Sequence, residues 1–286
     1  MGQTSQLLFR PVAQQPTPNP AELTDTLGDM ANRWVEYGLL EKQDAEETIN
    51  QLFAAFEEQA DDAAAAGLGE KPKITASAKP EPENSLEQAE RRDEITEMLI
   101  ADRQSEDPTT QAAASALLTC EGDVDPLSGA DDPAKPLVTC DYEQGQPYLL
   151  QPAPLLNGVT DPEGPRLTGN EIDTDSPING GFNQHSGQME ISFAFKTGSG
   201  PSGAQTWADL TEEYLQQQIA ITLDSNVISA PVIQGVTPYG STTSITGQFS
   251  QEEAQELANN LRYGALPLSF VGEDGTPGGT AAVSYT

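Results

Sequence analysis

The first residues whose chemistry can be tested are two cysteines, Cys120 and Cys140, which flank a polar loop rich in Gly, Pro and Asp. A disulfide closing a loop of about twenty residues would stabilise the fold by roughly 3 kcal/mol if the effect is chain entropy. Two thiols cannot complete a zinc site alone, and the CxxC spacing of thiol redox enzymes is absent. We predict a disulfide, which implies an oxidising compartment, and keep two free thiols as the alternative.

Nucleophilic catalysis needs a nucleophile beside a base, and the chain has one histidine, His185, in the segment FNQHSG. We interpret His185 as an ordinary loop histidine. The glycine-rich segments GGFNQHSG and TGSGPSG lack the helix that must follow a phosphate-binding loop. The sequence therefore predicts no enzyme, no catalytic residue and no cofactor.

An acidic segment, EGDVDPLSGADD, offers one metal hypothesis because calcium prefers clustered oxygen ligands. The segment lacks the glycine and the terminal glutamate of an EF-hand loop. We predict an ordinary acidic loop without metal. The alternative is a calcium site formed by four aspartates: Asp123, Asp125, Asp131 and Asp132.

The charge of the whole chain limits its partners. It has 45 acidic and 13 basic residues, a formal net charge of -32. Such a field repels phosphate backbones and anionic head groups, so we predict no nucleic-acid partner. No stretch reaches the roughly 18 to 20 uninterrupted apolar residues of a membrane span, and the N-terminal sequence does not have the pattern of a signal peptide.

The N-terminal half predicts a short strand, at residues 4–12, followed by helices. Asn19, Pro20 and Glu22 combine an N-cap, a first-turn proline and an early acidic residue, and Gly38 can end the first helix. A linker with three prolines, residues 67–83, is expected to be flexible and to precede a third helix. The helices show apolar stripes that we interpret as packing faces: Leu23, Leu27, Met30, Trp34 and Tyr37; Ala45, Ile49, Leu52, Phe53 and Phe56; Leu86, Ile95, Met98 and Leu99.

The C-terminal half mixes strand and helix patterns. A period of two predicts a strand at residues 190–196, and further strands are expected at 147–150, 219–223 and 244–249. Asp224-Ser225-Asn226 predicts a turn, and Pro231 predicts an edge strand or, as the alternative, a bulge. Two helices are expected, one with Trp207, Leu210, Tyr214 and Leu215 on its face, and one behind a capping box at Ser250–Glu253 with Ala254, Leu257, Ala258 and Leu261 on its face. The prediction is an α+β fold, mostly antiparallel sheet with helices packed on one face and a helical insertion near the N-terminus.

Three linked motifs in this half closely resemble those of the SecD family of protein-export membrane proteins. The first is L-D-x-x-V-I-S-A-P-V-I at residues 223–233, within IAITLDSNVISAPVIQG. The second is I-T-G-x-F at 245–249, and the third is E-E-A-x-x-L-A-x-x-L-R-x-G-A-L-P at 252–267. The resemblance covers about Pro147 to Phe270. QLLFRPV near the N-terminus looks like the strand that enters this region, and DDPAKPLVTCD resembles actinobacterial versions of the family.

This resemblance implies part of the first large extracytoplasmic loop of a plasma-membrane SecD subunit, a relative of RND-type transporters. It implies a non-catalytic role in translocation driven by the proton-motive force, through transient contact with emerging polypeptide. The implied partners are SecF, the SecYEG channel and unfolded preprotein, with membrane anchoring only through segments absent from this chain. The alternative is a structural element that docks SecD to SecF or to SecYEG without binding substrate.

The motif residues are expected to build the fold, so we assign no binding residues to them. β-strand addition at the edge near Pro231 is one mode by which polypeptide would bind.

We predict four consecutive regions. They are an entry strand and linker at 1–18, an acidic helical insertion at 19–105, a polar loop region with the predicted disulfide at 106–146, and a SecD-type α+β domain at 147–286.

Overall fold

The structure is a computed structural model that describes residues 6–59, 67, 69–121, 125–184, 187–247 and 250–264. Several residues considered above lie outside the described residues: Thr4, Asp123, His185, Phe249, Ala265, Leu266 and Pro267. The side chain of Glu253, the second half of the predicted capping box, is also outside this description.

The described residues form six α-helices and eight β-strands, which confirms the predicted α+β class. The helices are α1 (Pro20–Glu36), α2 (Lys42–Gln59), α3 (Ser85–Arg103), α4 (Pro108–Leu117), α5 (Gly203–Glu213) and α6 (Gln251–Gly264). The strands are β1 (Leu7–Pro11), β2 (Leu137–Asp141), β3 (Gln146–Leu150), β4 (Asn179–Asn183), β5 (Gln188–Phe193), β6 (Ile219–Leu223), β7 (Asn226–Ser229) and β8 (Thr243–Gly247). Within this part of the chain, no helix has the length and apolar character needed to span a bilayer.

The chain folds as two compact units, and each is discontinuous in sequence. Unit 1 comprises the described residues up to Phe9, those in Pro154–Asp224 and those from Pro231 onward. Unit 2 comprises the described residues of Arg10–Ala153 and of Ser225–Ala230. The four consecutive regions proposed from the sequence stay a prediction.

Helix α1 begins and ends as the sequence predicts. The Asn19 side chain accepts a hydrogen bond from the Ala21 N–H at 3.2 Å, and Pro20 occupies the first turn. Gly38 has a φ of 72°, and its N–H donates to the Val35 carbonyl. Leu27 and Met30, on the predicted stripe, are completely buried.

The segment predicted as a flexible linker is instead tied to α1. The Asn32 side-chain oxygen accepts the N–H groups of Thr75 and Ala76, both at 2.9 Å, and Ile74 is buried. A Cβ on Gly28 would lie 2.7 Å from Pro72, so glycine is what permits this close approach. The prolines and lysines predicted a flexible segment. Amino-acid composition alone does not show that α1 provides hydrogen-bond acceptors for this segment.

The region predicted as polar loop, 106–146, contains the helix α4. Asp107 caps it by accepting the Thr110 N–H at 2.7 Å, and this hydrogen bond holds the pKa of Asp107 below its usual value. Ala113 and Ala114 are completely buried, and α4 contacts all three of the preceding helices. Helix α4 was not predicted, because TTQAAASAL packs through small residues and shows no stripe of large apolar ones.

The three sheets are small. In unit 2, β2 pairs antiparallel with β3, from Leu137 opposite Leu150 to Asp141 opposite Gln146. In unit 1, the antiparallel sheet β4–β5–β8 places Gly180, Ile191 and Ile245 in one row. Strand β7 lies at the edge of its sheet, so the predicted edge strand before Pro231 is confirmed.

The core of unit 1 joins aromatic rings to a helix-covered sheet. The rings of Phe9, Phe193, Phe195 and Trp207 form one cluster, with centroids 5.1 Å apart for Phe9 and Phe195. Helix α6 packs on β4 and β5 through its predicted stripe, which is buried. Strand β4 was not predicted, because NGGFN has neither alternation nor β-branched residues.

Gly180 is the residue that lets α6 approach β4, and replacing it should destabilise unit 1. A Cβ there would lie 1.9 Å from the Ala254 carbonyl oxygen, so backbone must move. We expect Gly180→Ala to lower the free energy of unfolding by about 1 to 3 kcal/mol or more, measured by urea denaturation. Gly200→Ala is the control because nothing lies within 4 Å of its Cβ position. Equal stability of the two variants would contradict this packing.

Candidate functional site

The two cysteines considered as site residues are joined in the structure. Cys120, just after α4, forms a disulfide with Cys140 of β2, and their Cα atoms are 5.3 Å apart. Cys140 is completely buried and Cys120 is 6% exposed. The bond closes the loop that carries the acidic segment, so it fixes that loop at both ends.

One aspartate of this loop forms an ion pair with a buried arginine. Arg103 donates from both terminal nitrogens to the two carboxylate oxygens of Asp125, each at 2.7 Å, and from Nε to the Val138 carbonyl. Both side chains of the pair are at most 1% exposed. Burial raises the pKa of the nearby Tyr142 phenol, and the Asp125 carboxylate acts in the same direction.

A second buried carboxylate, Asp131, joins two distant segments of unit 2. One oxygen accepts from Arg10 at 2.5 Å, and the other accepts the Ser225 hydroxyl at 2.6 Å. Arg10 also donates to the Lys135 carbonyl, and its side chain is completely buried. We call Arg10, Asp131 and Ser225 the Asp131 cluster.

Each described aspartate of the acidic loop has a partner within the protein. Arginine donors occupy Asp125 and Asp131, and the Asp132 carboxylate accepts the Ala134 N–H. No group of His, Cys, Asp and Glu among the described residues is arranged to hold a metal ion. Because Asp125 and Asp131 serve as acceptors for buried guanidinium groups, their role is structural.

The predicted turn is confirmed and positions Ser225. Asp224 and Ser225 have φ values of 47° and 71°, a left-handed conformation that costs non-glycine residues energy. Within unit 2, Ser225 recovers that cost through hydrogen bonds: its carbonyl accepts the Thr139 hydroxyl at 2.6 Å, and its Oγ accepts the Gly129 N–H at 3.0 Å.

The candidate contact site lies in unit 1 and borders the first sequence motif. Four apolar side chains are exposed there, and we call them the apolar surface: Leu215 (42%), Val232 (39%), Val236 (47%) and Tyr239 (47%). Single exposed apolar residues are common, but a cluster of them marks an interaction site.

Backbone hydrogen bonds place these four residues beside α5. Gln216 N–H donates to the Ile233 carbonyl and Ile233 N–H donates to the Gln217 carbonyl, each at 2.9 Å, so the segment after Leu215 pairs with the segment that contains Val232. The following loop runs back along α5, because Thr237 N–H donates to Thr211 Oγ1 and the Tyr239 hydroxyl donates to the Gly198 carbonyl.

Beneath this loop lies a cleft of about 40 Å³, lined by Trp207, Thr211, Pro231, Val232, Ile233, Gln234, Gly235, Thr237, Thr243, Ser244 and Ile245. It is far smaller than the roughly 300 Å³ of a small-molecule site. The Trp207 indole N–H donates to Thr243 Oγ1 at its base, which holds the loop against the core. The exposed surface, and not the cleft, is therefore what unit 1 offers a partner.

Unit 2 has a larger groove, of about 310 Å³, between the segment after β1, β3 and the start of α4. It is lined by Ala13, Gln14, Pro16, Thr17, Pro108, Gln111, Pro136, Leu149, Leu150, Gln151 and Pro152. No charged or aromatic side chain lines it, so it offers little to select a particular ligand.

Neither Val236 nor Tyr239 was predicted as a site residue, and Leu215 was assigned to a helical packing face. Helix α5 ends at Glu213, so Leu215 lies past its end and is exposed. The available signal was local: VTPYGS combines Val and Tyr with turn-forming residues, which places both on a loop.

Comparison with known proteins gives the family of this half of the chain. Residues 136–268 match a family model described as the P1 head subdomain of SecDF. Over residues 136–268 the chain is therefore similar to the SecD family. The first motif (residues 223–233), the apolar surface and α6 all lie inside the match, and α1 to α4 lie outside it.

Individual SecD proteins agree with this result. The protein translocase subunit SecD of Mycobacterium tuberculosis H37Rv is 40% identical over 154 residues, which are 53% of this chain and 23% of that protein. SecD of Streptomyces coelicolor is 46% identical over 87 residues, 28% of this chain and 15% of that protein. The chain thus spans less than a quarter of these relatives.

Solved SecDF structures are also similar. The crystal structure of SecDF from Thermus thermophilus, a translocon-associated membrane protein, covers 93% of this chain and 30% of its own chain, with 20% identity and a TM-score of 0.34. A structure of the membrane component SecDF that enhances protein export covers 91% of this chain and 94% of its own, with 19% identity and a TM-score of 0.27.

Removing the Asp131 carboxylate should destabilise the fold, because Arg10 would stay buried without its ion-pair partner. We expect Asp131→Ala to lower the free energy of unfolding by about 3 to 5 kcal/mol, because it leaves a guanidinium buried without its partner. Asp132→Ala is the control, since that side chain is exposed and its backbone groups keep their bonds to Gln104. Urea denaturation of both variants measures the difference, and a loss below about 1 kcal/mol for Asp131→Ala would contradict the buried pair.

The disulfide should stabilise unit 2 by restricting the unfolded chain. We expect the double variant Cys120→Ser/Cys140→Ser to lose about 3 kcal/mol of unfolding free energy, the loop-entropy value for a separation of 20 residues. Denaturation with and without reductant measures this loss. Reductant should lower the stability of the natural chain and leave the variant unchanged; a natural chain insensitive to reductant throughout denaturation would count against the bond.

Proposed function

We propose that this chain is an extracytoplasmic, non-catalytic module of a SecD-type translocase subunit that transiently contacts unfolded polypeptide during export. The single observation that carries the proposal is the apolar surface that borders the first motif, residues 223–233. Unfolded polypeptide presents apolar side chains that a folded protein buries, and Leu215, Val232, Val236 and Tyr239 offer complementary exposed groups.

The proposal places the module in an oxidising compartment, outside the cytoplasm. The Cys120–Cys140 bond supports this placement, since structural disulfides persist where thiols are not kept reduced. Membrane helices of the parent protein would anchor the module, and the proton-motive force would act through those helices. The proposed partners are unfolded preprotein, SecF and the SecYEG channel.

Docking to SecF or SecYEG is the second candidate function, and it is favoured by the helices that lie outside the family match. Leu86, at the start of α3, is 67% exposed, the largest exposure among the large hydrophobic side chains of the described residues. In this alternative, α1 to α3 would form the docking surface and the apolar surface of unit 1 would have no substrate role.

Photo-cross-linking distinguishes the two functions. A photoreactive amino acid is placed at Val236, at Tyr239 or at Leu86 of the full-length parent protein, in cells exporting a preprotein arrested in the channel. We expect preprotein adducts from Val236 and Tyr239, and none from Leu86. Adducts of Leu86 with SecF or SecYEG, together with no preprotein adduct from unit 1, would replace this proposal with docking.

A further inference from the structure

The charged side chains next to the apolar surface would affect which polypeptides bind to it. Residues 154–264 contain thirteen acidic and three basic residues. Each of the three basic side chains donates to a backbone carbonyl: Lys196 to Asn170, Arg166 to Pro162 and Arg262 to Ile178. The excess of carboxylates therefore leaves a negative field around unit 1.

Two carboxylates lie close to the apolar surface. Glu212 directly follows Thr211, which holds the loop at Thr237, and it precedes Leu215 by three positions. Glu212 and Glu213 are both exposed at the C-terminal end of α5. Neither forms an ion pair with a described residue, so both charges face solvent or a partner.

The end of α5 strengthens this negative charge. The carbonyl groups of the last helical turn carry partial negative charge, which adds to the two carboxylates. Asp209, one turn earlier, accepts from the neutral amides of Asn157 and Gln205. The apolar surface is thus bordered on its α5 side by acidic groups without cationic partners.

We propose that the apolar surface is selective, binding polypeptide segments in which apolar residues are interspersed with lysine or arginine and disfavouring acidic segments. This inference rests on the proposed function and names the chemical class of its substrate. Apolar contact supplies attraction for any unfolded segment, and Glu212 and Glu213 add attraction for cations. The same two residues repel carboxylates, so the selectivity has a repulsive part as well.

Peptide binding to the complete 286-residue chain tests the selectivity. Two fluorescent 12-residue peptides share four leucines and four serines; one carries four lysines, and the other carries four glutamates in their place. By fluorescence anisotropy at about 20 mM salt we expect the lysine peptide to bind at least about fivefold more tightly. Raising salt to about 0.5 M should reduce that ratio, because ions screen exposed charges.

Substitutions test which residues produce the preference for the lysine peptide. Glu212→Gln/Glu213→Gln should bring the peptide ratio to within about twofold of one. The matched control is Glu252→Gln/Glu256→Gln, which removes two exposed charges from α6 and should retain most of the preference. Val236→Ser/Tyr239→Ser should weaken binding of both peptides by a similar factor, because it removes the apolar contact.

The outcomes separate this inference from the proposed function. Equal binding of both peptides, lost in Val236→Ser/Tyr239→Ser, would overturn the charge selectivity and leave polypeptide contact intact. Failure of both peptides to bind would overturn the proposed function itself. A lysine preference that survives in Glu212→Gln/Glu213→Gln and falls in Glu252→Gln/Glu256→Gln would place the selectivity on α6 and contradict its assignment to α5.

Discussion

Arg10 and Arg103 are among the largest side chains that the described residues bury completely, and unit 2 depends on the two aspartates that neutralise them. A buried guanidinium without an anion is too costly for a marginally stable fold, so the loop carrying Asp125 and Asp131 has to close over both arginines. The Cys120–Cys140 bond fixes the ends of that loop. The acidic segment, which looks like a solvated loop in the sequence, is therefore the polar core of unit 2.

The motif at residues 223–233 builds structure, and the proposed contact surface borders it. Within unit 2, its turn places Ser225 on Asp131 and beneath Thr139. Within unit 1, its last residues pair with residues 216–219 and leave Val232 exposed at the start of a loop held to α5. A rigid scaffold that presents a few apolar side chains on a tethered loop suits the proposed contact, because little ordering entropy is lost on binding.

The sequence predicted elements whose signals are local. Asn19 and Pro20 start α1, period-two alternation marks β5, and the stripe ending at Leu261 marks α6, because caps and periodicity act within a few residues. Strand β4 and helix α4 were missed because glycine and alanine carry no such pattern. The buried arginines and the exposed Val236 were missed for another reason: burial depends on partners distant in sequence, such as Asp131 for Arg10, 121 residues away.

The central claim is that unfolded polypeptide contacts unit 1 at the apolar surface. NMR chemical-shift mapping on the isotope-labelled 286-residue chain, titrated with the lysine–leucine peptide, tests it most directly. We predict amide shifts concentrated at Leu215 and residues 232–239, with unit 2 unchanged. Shifts confined to the groove of unit 2, at residues 13–17 and 149–152, would contradict the claim and move the contact site there.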